Sequence, residues 1–218
     1  MCGRFALFAA PADIARVLAI DSAPAVEPSY NIPPGTHPLV AHADDGDDGG
    51  IACERLFWGY RPAWANADAP QPINARAEKV ATSPFFRHAF ARYRCLVPAS
   101  GWYEWRQGDD GKVPYYITTD MEVLMFAGIY DPPREEGTGS FAIITQPATP
   151  AIAHLHPRMP LVLDPMCYRD WLDRTHQDRD AVKRVTRPLE AGRLRCWPVS
   201  RQVNRPVNDD ASLIEAIE

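Results

Sequence analysis

Arg94-Cys95-Leu96-Val97-Pro98-Ala99-Ser100-Gly101-Trp102-Tyr103-Glu104-Trp105-Arg106 contains two short runs, 94–97 and 102–106, separated by small residues and a proline. Both runs are bounded by turn formers, and the second is dominated by aromatic side chains, so they read as two consecutive strands. The strand period of two then sorts the second run. Trp102 and Glu104 share one face, and Tyr103 and Trp105 share the other. A carboxylate among aromatics becomes important if that face is buried, because desolvation raises its pKa toward neutrality.

Working outward, further strand candidates are 39–41, 51–58, 113–118, 123–130, 141–145, 161–163 and 194–199. Segments 39–41 and 51–58 face each other across the Asp/Gly-rich stretch 44–50, which reads as a hairpin. Two short helices are expected. In 11–20, Ile14, Val17 and Leu18 recur at helical spacing, and Ser83-Pro84 ahead of Phe85, Phe86 and Phe90 has the N-cap and first-turn proline of a helix start. Strands joined by short polar loops with few helices favour antiparallel pairing. The reading is therefore an α+β fold in one domain, 1–218: a mainly antiparallel, barrel-like sheet core with a few short flanking helices.

The 218 residues are 46% hydrophobic and 23% charged, the balance of an ordinary globular chain. No apolar run approaches the roughly 20 residues of a membrane span, and the amino terminus lacks a signal-peptide layout. A cytoplasmic protein is expected. Five cysteines, none spaced C-x-x-C, suggest neither a disulfide framework nor a zinc site. The net charge of -5 is unevenly spread: residues 54–106 carry eight Arg/Lys against four acids, a local +4 that leaves -9 elsewhere. Much of that acid lies in 44–50, 109–111 and 135–137, which read as solvated loop tips. A basic face beside aromatics is compatible with a polyanion.

Removal of Met1 would expose Cys2, with an α-amine and a thiol on adjacent carbons. Their ordinary pKa values, roughly 7.7–8.0 and 8.5, make both nucleophilic near neutral pH. On its own, Cys2 is better read as an ordinary residue near a frayed end, and other residues are needed to change that. His156, in His154-Leu155-His156-Pro157-Arg158-Met159-Pro160, sits where two prolines enforce a non-helical turn that either aims the imidazole into a cleft or leaves it in solvent. Asn74 offers an orienting amide, and Arg76 a donor suited to phosphate.

Read in order, Met1-Cys2-Gly3-Arg4-Phe5, Pro28-Ser29-Tyr30-Asn31-Ile32-Pro33-Pro34, Trp58-Gly59-Tyr60-Arg61-Pro62-Ala63-Trp64-Ala65, Asn74-Ala75-Arg76-Ala77-Glu78, 94–105 and His156-Pro157-Arg158-Met159-Pro160 form a specific set. With this set the chain resembles the SRAP family from residue 2 to about residue 163. The resemblance implies a sensor of abasic sites in single-stranded DNA that links itself covalently to the lesion. By the matching motifs Cys2 is the nucleophile, Asn74 an orienting group, and Glu104 and His156 an acid/base pair. Arg4, Arg76 and Arg158 are the candidates for phosphate contacts, and Trp64 and Trp105 for base stacking, although each tryptophan suits core packing equally. No cofactor, metal or membrane partner is expected, and the protein is expected to act as a monomer.

The chemistry is coherent. An abasic sugar equilibrates with an open aldehyde, the amine of Cys2 forms an imine, and the sulfur closes a five-membered thiazolidine. Other classes share the Met-Cys-Gly start. A glutamine amidotransferase with an N-terminal nucleophile, a self-processing cysteine peptidase and a plain single-strand binding module remain open on sequence, and a covalent DNA adduct separates them from the SRAP chemistry.

Overall fold

The computed structural model describes residues 2–44, 46, 49–66, 68–109, 111–133 and 138–217. Met1 and the expected loop tips at Asp45, Asp47, Asp48, Asp110, Glu135, Glu136 and Gly137 lie outside the described residues. In chain order the elements are β1 (Phe5–Leu7), α1 (Pro11–Leu18), β2 (Ser29–Ile32), β3 (Leu39–Ala43), β4 (Ile51–Arg55), β5 (Phe57–Trp58), β6 (Asn74–Arg76), α2 (Arg87–Arg92), β7 (Arg94–Ala99), β8 (Gly101–Gly108), β9 (Gly111–Thr118), β10 (Leu124–Asp131), β11 (Ser140–Pro147), β12 (Arg158–Pro160), α3 (Tyr168–Leu172), α4 (Arg179–Val185) and β13 (Arg195–Pro198).

The strands form two open sheets, one of five strands in the order β13-β9-β8-β1-β2 and one of eight, following β12-β11-β10-β7-β3-β4 with β5 and β6 attached to β11. Side chains of both sheets meet in one apolar core that includes Phe5, Ile32 and Trp102 from the first sheet and Val40, Val97 and Phe126 from the second. Phe126 is edge-on to both Phe5, at 6.0 Å between ring centroids, and Trp102, at 5.8 Å. Such T-shaped contacts fasten one sheet to the other through the aromatic quadrupoles as well as through buried area. A smaller core on the opposite face of the first sheet gathers Tyr103, Tyr116, Val199, Val203 and Leu213. There the carboxyl-terminal segment covers the sheet.

The expected α+β architecture with mainly antiparallel pairing is the one found, and the core expected to be barrel-like takes the form of two open sheets packed on each other, not a closed barrel. The hairpin of β3 and β4 runs in register from Leu39 opposite Arg55 to Ala43 opposite Ile51. Differences have local causes. Segment 51–58 splits, because after β4 the chain leaves the hairpin and β5 joins β11 in parallel; β6 does the same. The expected strand at 161–163 contributes only single bridges, at Val162 and Leu163, while the paired strand lies earlier, at β12. Helix α1 matches its pattern, ending at Ala19 in the left-handed conformation. Helix α2 begins later than Ser83-Pro84 suggests, and Ser83 gives no side-chain cap; its carbonyl instead accepts from Phe86 and Arg87. Packing decides this start, since Phe85 and Phe86 both turn onto Tyr60.

The buried Arg94 ties the helices to the sheets. Its guanidinium donates to the carbonyls of Phe90, Ala91, Trp171 and Asp173, which belong to the ends of α2 and α3. Cations suit helix carboxyl ends for that reason.

Close approach of β8 and β9 requires a glycine at position 101. A methyl group built there would lie 2.7 Å from the Ile117 carbonyl oxygen and would run into the Tyr116 ring. Backbone cannot yield as a flexible side chain does, so Gly101→Ala should destabilise the protein by about 1–3 kcal/mol, the usual range for overpacking. Urea unfolding checks this, and an unchanged midpoint would mean that the two strands part at no cost.

Candidate active site

The site is built on β1, a strand of three residues in the interior of its sheet. Phe5 lies opposite Trp102 on β8 and opposite Ile32 on β2, and the Tyr103 amide donates to the Arg4 carbonyl at 3.0 Å. Pairing on both sides removes the freedom a terminal segment normally keeps. Cys2, three residues ahead of Phe5, is consequently fixed and has no exposed surface.

Two groups reach Cys2 from opposite sheets. Asn74, the first residue of β6, donates from Nδ2 to the Cys2 carbonyl oxygen at 2.9 Å. Its Oδ1 is buried and without a hydrogen-bond partner among the described residues. Glu104 comes from β8 and is 3% exposed. The alternation read from the sequence holds: Trp102 lies in the core between the sheets, whereas Tyr103 and Trp105 lie at the smaller core. Burial raises the Glu104 carboxyl from the ordinary 4.5 to about 7. Burial, and next the negative charge of Glu104, raise the Cys2 thiol, with the Arg4 backbone amide acting in the opposite direction. The sulfur is thus a protonated thiol at neutral pH, adjacent to a carboxyl poised between acid and base.

His156 stands half-buried on the turn before β12. Its Nδ1 is 3.0 Å from the Arg158 backbone nitrogen and 3.0 Å from the Arg158 carbonyl oxygen. Burial lowers the imidazole pKa, the Arg158 peptide offsets part of that, and the charges of Arg158 and of Lys112 lower it further. Lys112 belongs to the hairpin of β8 and β9 that also carries Glu104, so the histidine turn of one sheet faces the glutamate hairpin of the other.

The remaining expected residues divide. Arg76 and Trp64 are on the surface, Trp64 being 64% exposed and edge-on to Phe85 at 5.6 Å. Arg4, Arg158 and Trp105 are engaged within the chain. Arg4 donates from Nη1 to Asn31 Oδ1 at 2.6 Å and to the Val203 carbonyl at 2.7 Å, and its guanidinium carbon lies 6.0 Å from the Trp105 ring centroid. Trp105 donates to Asn204 Oδ1 at 2.7 Å. Arg158 grips both oxygens of Glu78. Asn31 and Glu78 had no role in the sequence reading, although both lie in the quoted motifs; their partners, at 203–208 and at 158, are too distant in sequence to be read. Among the described residues no group of three or more His, Cys, Asp or Glu is arranged to hold a metal ion, and no helix is long and apolar enough to cross a membrane.

The comparisons with known proteins agree with one another. The family model of SOS response associated peptidase (SRAP) matches residues 1–206. The chain is 34% identical to abasic site processing protein YedK of Escherichia coli, over all of both chains. It is 34% identical to abasic site processing protein YoqW of Bacillus subtilis, over 99% of this chain and all of that one. Among solved structures, a phage-related protein of Bordetella bronchiseptica superimposes with a TM-score of 0.76 at 34% identity, covering 92% of this chain and 95% of that chain. A Bacteroides thetaiotaomicron protein shares the fold with a TM-score of 0.84 at 22% identity, over the whole of both chains.

A carboxyl that holds its proton more tightly in the folded than in the unfolded chain stabilises the fold below its unfolded pKa, and that advantage is lost as pH rises through the folded value. For Glu104 this window runs from 4.5 to about 7. Glu104→Gln, which cannot ionise, should therefore exceed the parent in stability near pH 8 by up to about 3 kcal/mol, at roughly 1.4 kcal/mol per unit, and lose that excess near pH 4. Denaturant midpoints at the two pH values measure it; a difference independent of pH would show that the carboxylate ionises freely in the fold.

Proposed function

The chain belongs to the SOS response associated peptidase family, and on that footing we propose that it senses abasic sites in single-stranded DNA and joins itself to them through Cys2 once Met1 has been removed. The observation that carries this reading is the fixed position of Cys2, with the Asn74 amide on its carbonyl and a Glu104 carboxyl near neutrality within electrostatic reach. The relatives at 34% identity are abasic site processing proteins along their full length, which supports the substrate class.

The free amine of Cys2 attacks the aldehyde of the ring-opened sugar, and the carbinolamine loses water to give an imine. Sulfur then adds to the imine carbon. Because burial keeps the thiol protonated, its proton must be taken as the C–S bond forms; Glu104 takes it and returns it to the nitrogen, which closes the thiazolidine with protons balanced. His156 donates to the sugar ring oxygen during opening. Asn74 holds the main chain of Cys2 in register so that amine and sulfur reach one carbon, an effective-concentration advantage unavailable to a mobile terminus. The product protects the lesion, and the protein acts as a monomer without a cofactor. Arg76 and the exposed Trp64, next to Phe85, are suited to a phosphate and to an unstacked base, which favours single over double strands.

The test is incubation with a single-stranded oligonucleotide bearing one abasic site, followed by a denaturing gel and intact mass. The expected product is a heat-stable adduct on a chain lacking Met1. Cys2→Ala keeps an amine but no sulfur, so it should give an adduct only when borohydride reduces the imine. A heat-stable adduct from that variant without reductant overturns the thiazolidine step. In reversible binding, Arg76→Glu should weaken affinity and lower the slope of log affinity against log salt by about one contact; an unchanged slope removes Arg76 from the DNA.

A further inference from the structure

We infer that Arg106 is a phosphate-binding residue on the cleft wall beside Glu104, held ready by Tyr115, an inference that rests on the reading above. Register puts these three side chains together. In the ladder of β8 and β9, Glu104 lies opposite Tyr115 and Arg106 opposite Val113, so the period of two places Glu104, Arg106 and Tyr115 on one face. That face is the one from which Trp102 and Ile117 enter the core between the sheets, and the half-buried Tyr115 packs against the same core. Arg106 stands two residues beyond Glu104, where the strand leaves the core and the side chain is exposed. At about 3.4 Å per residue, the two Cα atoms are about 7 Å apart. A cation that close to the reacting carboxyl reaches the phosphate one or two nucleotides from the abasic sugar.

The side chain is restrained with its donors free. Its guanidinium carbon lies over the Tyr115 ring, 5.1 Å from the centroid, and Arg106 enters no ion pair among the described residues. A ring holds a guanidinium through its quadrupole, so the contact orders the side chain and leaves the N–H groups for another acceptor. Part of the entropy of fixing a long side chain is thereby lost before DNA arrives. The surroundings suit a polyanion as well. Lys112, exposed on the neighbouring strand, is also outside any ion pair among the described residues, and its charge is felt at His156 on the facing turn. Arg76 is exposed on the other sheet, at the end of β6. The exposed Asp109 lies farther along, at the turn of the hairpin. Cations therefore stand on both of the sheets that meet at Cys2, and a strand lying between them is contacted from two sides.

A single-stranded oligonucleotide carrying tetrahydrofuran, an abasic sugar without an aldehyde, measures reversible affinity free of adduct. Arg106→Ala should weaken binding about 10-fold at low salt, the lower end of the range for a hydrogen bond to a charged group. It should also flatten the slope of log affinity against log salt by about 0.7, the value of one contact on a single strand. Arg179→Ala, on α4, removes an equal charge and should leave both quantities unchanged. Tyr115→Leu keeps an apolar side chain and loses the ring, so it should weaken binding by a smaller factor. Added to Arg106→Ala it should bring no further loss, because the ring acts through the guanidinium.

Replacing single phosphates near the lesion by uncharged methylphosphonates locates the contact. One of the two phosphates on one side should cost the parent affinity and cost Arg106→Ala nothing. The inference is overturned if Arg106→Ala binds as the parent does, or if Arg179→Ala lowers affinity and slope equally. It is also overturned if every methylphosphonate costs parent and Arg106→Ala the same, since the substitution then disturbs the site without losing a phosphate. The reading of the function fails separately, in a parent that binds the oligonucleotide yet forms no adduct with a true abasic site.

Discussion

Everything at the site depends on β1 being an interior strand. Its pairing with β8 on one side and β2 on the other spends backbone hydrogen bonds on a segment that begins three residues after Cys2. A strand of three residues has little stability of its own. It exists because its neighbours offer two ready edges and because Phe5 places its ring against Trp58 and Phe126 in the core. The amino terminus becomes as well fixed as the middle of the chain. Reaction at a terminal amine and its neighbouring sulfur, the chemistry proposed for this site, would draw on that rigidity, since both atoms would have to reach one carbon.

The two faces of β8 extend the same constraint. One face carries Trp102 and Glu104 toward Cys2, and the other carries Tyr103 and Trp105 under the carboxyl-terminal segment. That segment contributes no reactive group, yet the Val203 carbonyl accepts from Arg4, and Asn31 donates to the carbonyls of Val203, Arg205 and Asn208. Arg4 follows Cys2 by two residues, so residues 203–208 brace the reactive terminus from the far side of the sheet. Tyr103 adds a further fastening from its hydroxyl to the Tyr30 carbonyl, at 2.7 Å.

What the sequence made legible follows from which signals are local. The Trp102 to Trp105 alternation is a period-two pattern of large side chains, and it assigned the faces correctly because nothing on β8 competes with it. Strands β1, β2 and β6 escaped notice, each being three or four residues without alternation and existing only where another strand presents an edge. The late start of α2 was illegible for a related reason: Ser83-Pro84 is a sound local start signal, and a tertiary contact of Phe85 and Phe86 with Tyr60 overrides it. At the site, Cys2, Asn74, Glu104 and His156 were identified as residue types in ordered motifs. Asn31, which accepts from Arg4, and Glu78, which accepts from Arg158, became visible only when folding joined positions 27 and 80 residues apart.

The same distinction explains why the arginines divide as they do. In sequence, Arg4, Arg76 and Arg158 are three equal cations next to chemical residues. In the fold, a guanidinium with several acceptors around it is engaged within the chain before any phosphate arrives. Arg158 has Glu78 and Thr145, and Arg4 has Asn31 and Val203. Arg76, at the exposed end of β6 and two residues after Asn74, has no such obligation among the described residues. Its freedom is a direct consequence of strand geometry. Ala75 between them points into the core, so Asn74 and Arg76 lie on one face of the strand, one close enough to hold Cys2 and the other far enough out to reach solvent. A strand only three residues long thereby relates a buried amide on the Cys2 carbonyl to a surface cation at a fixed spacing.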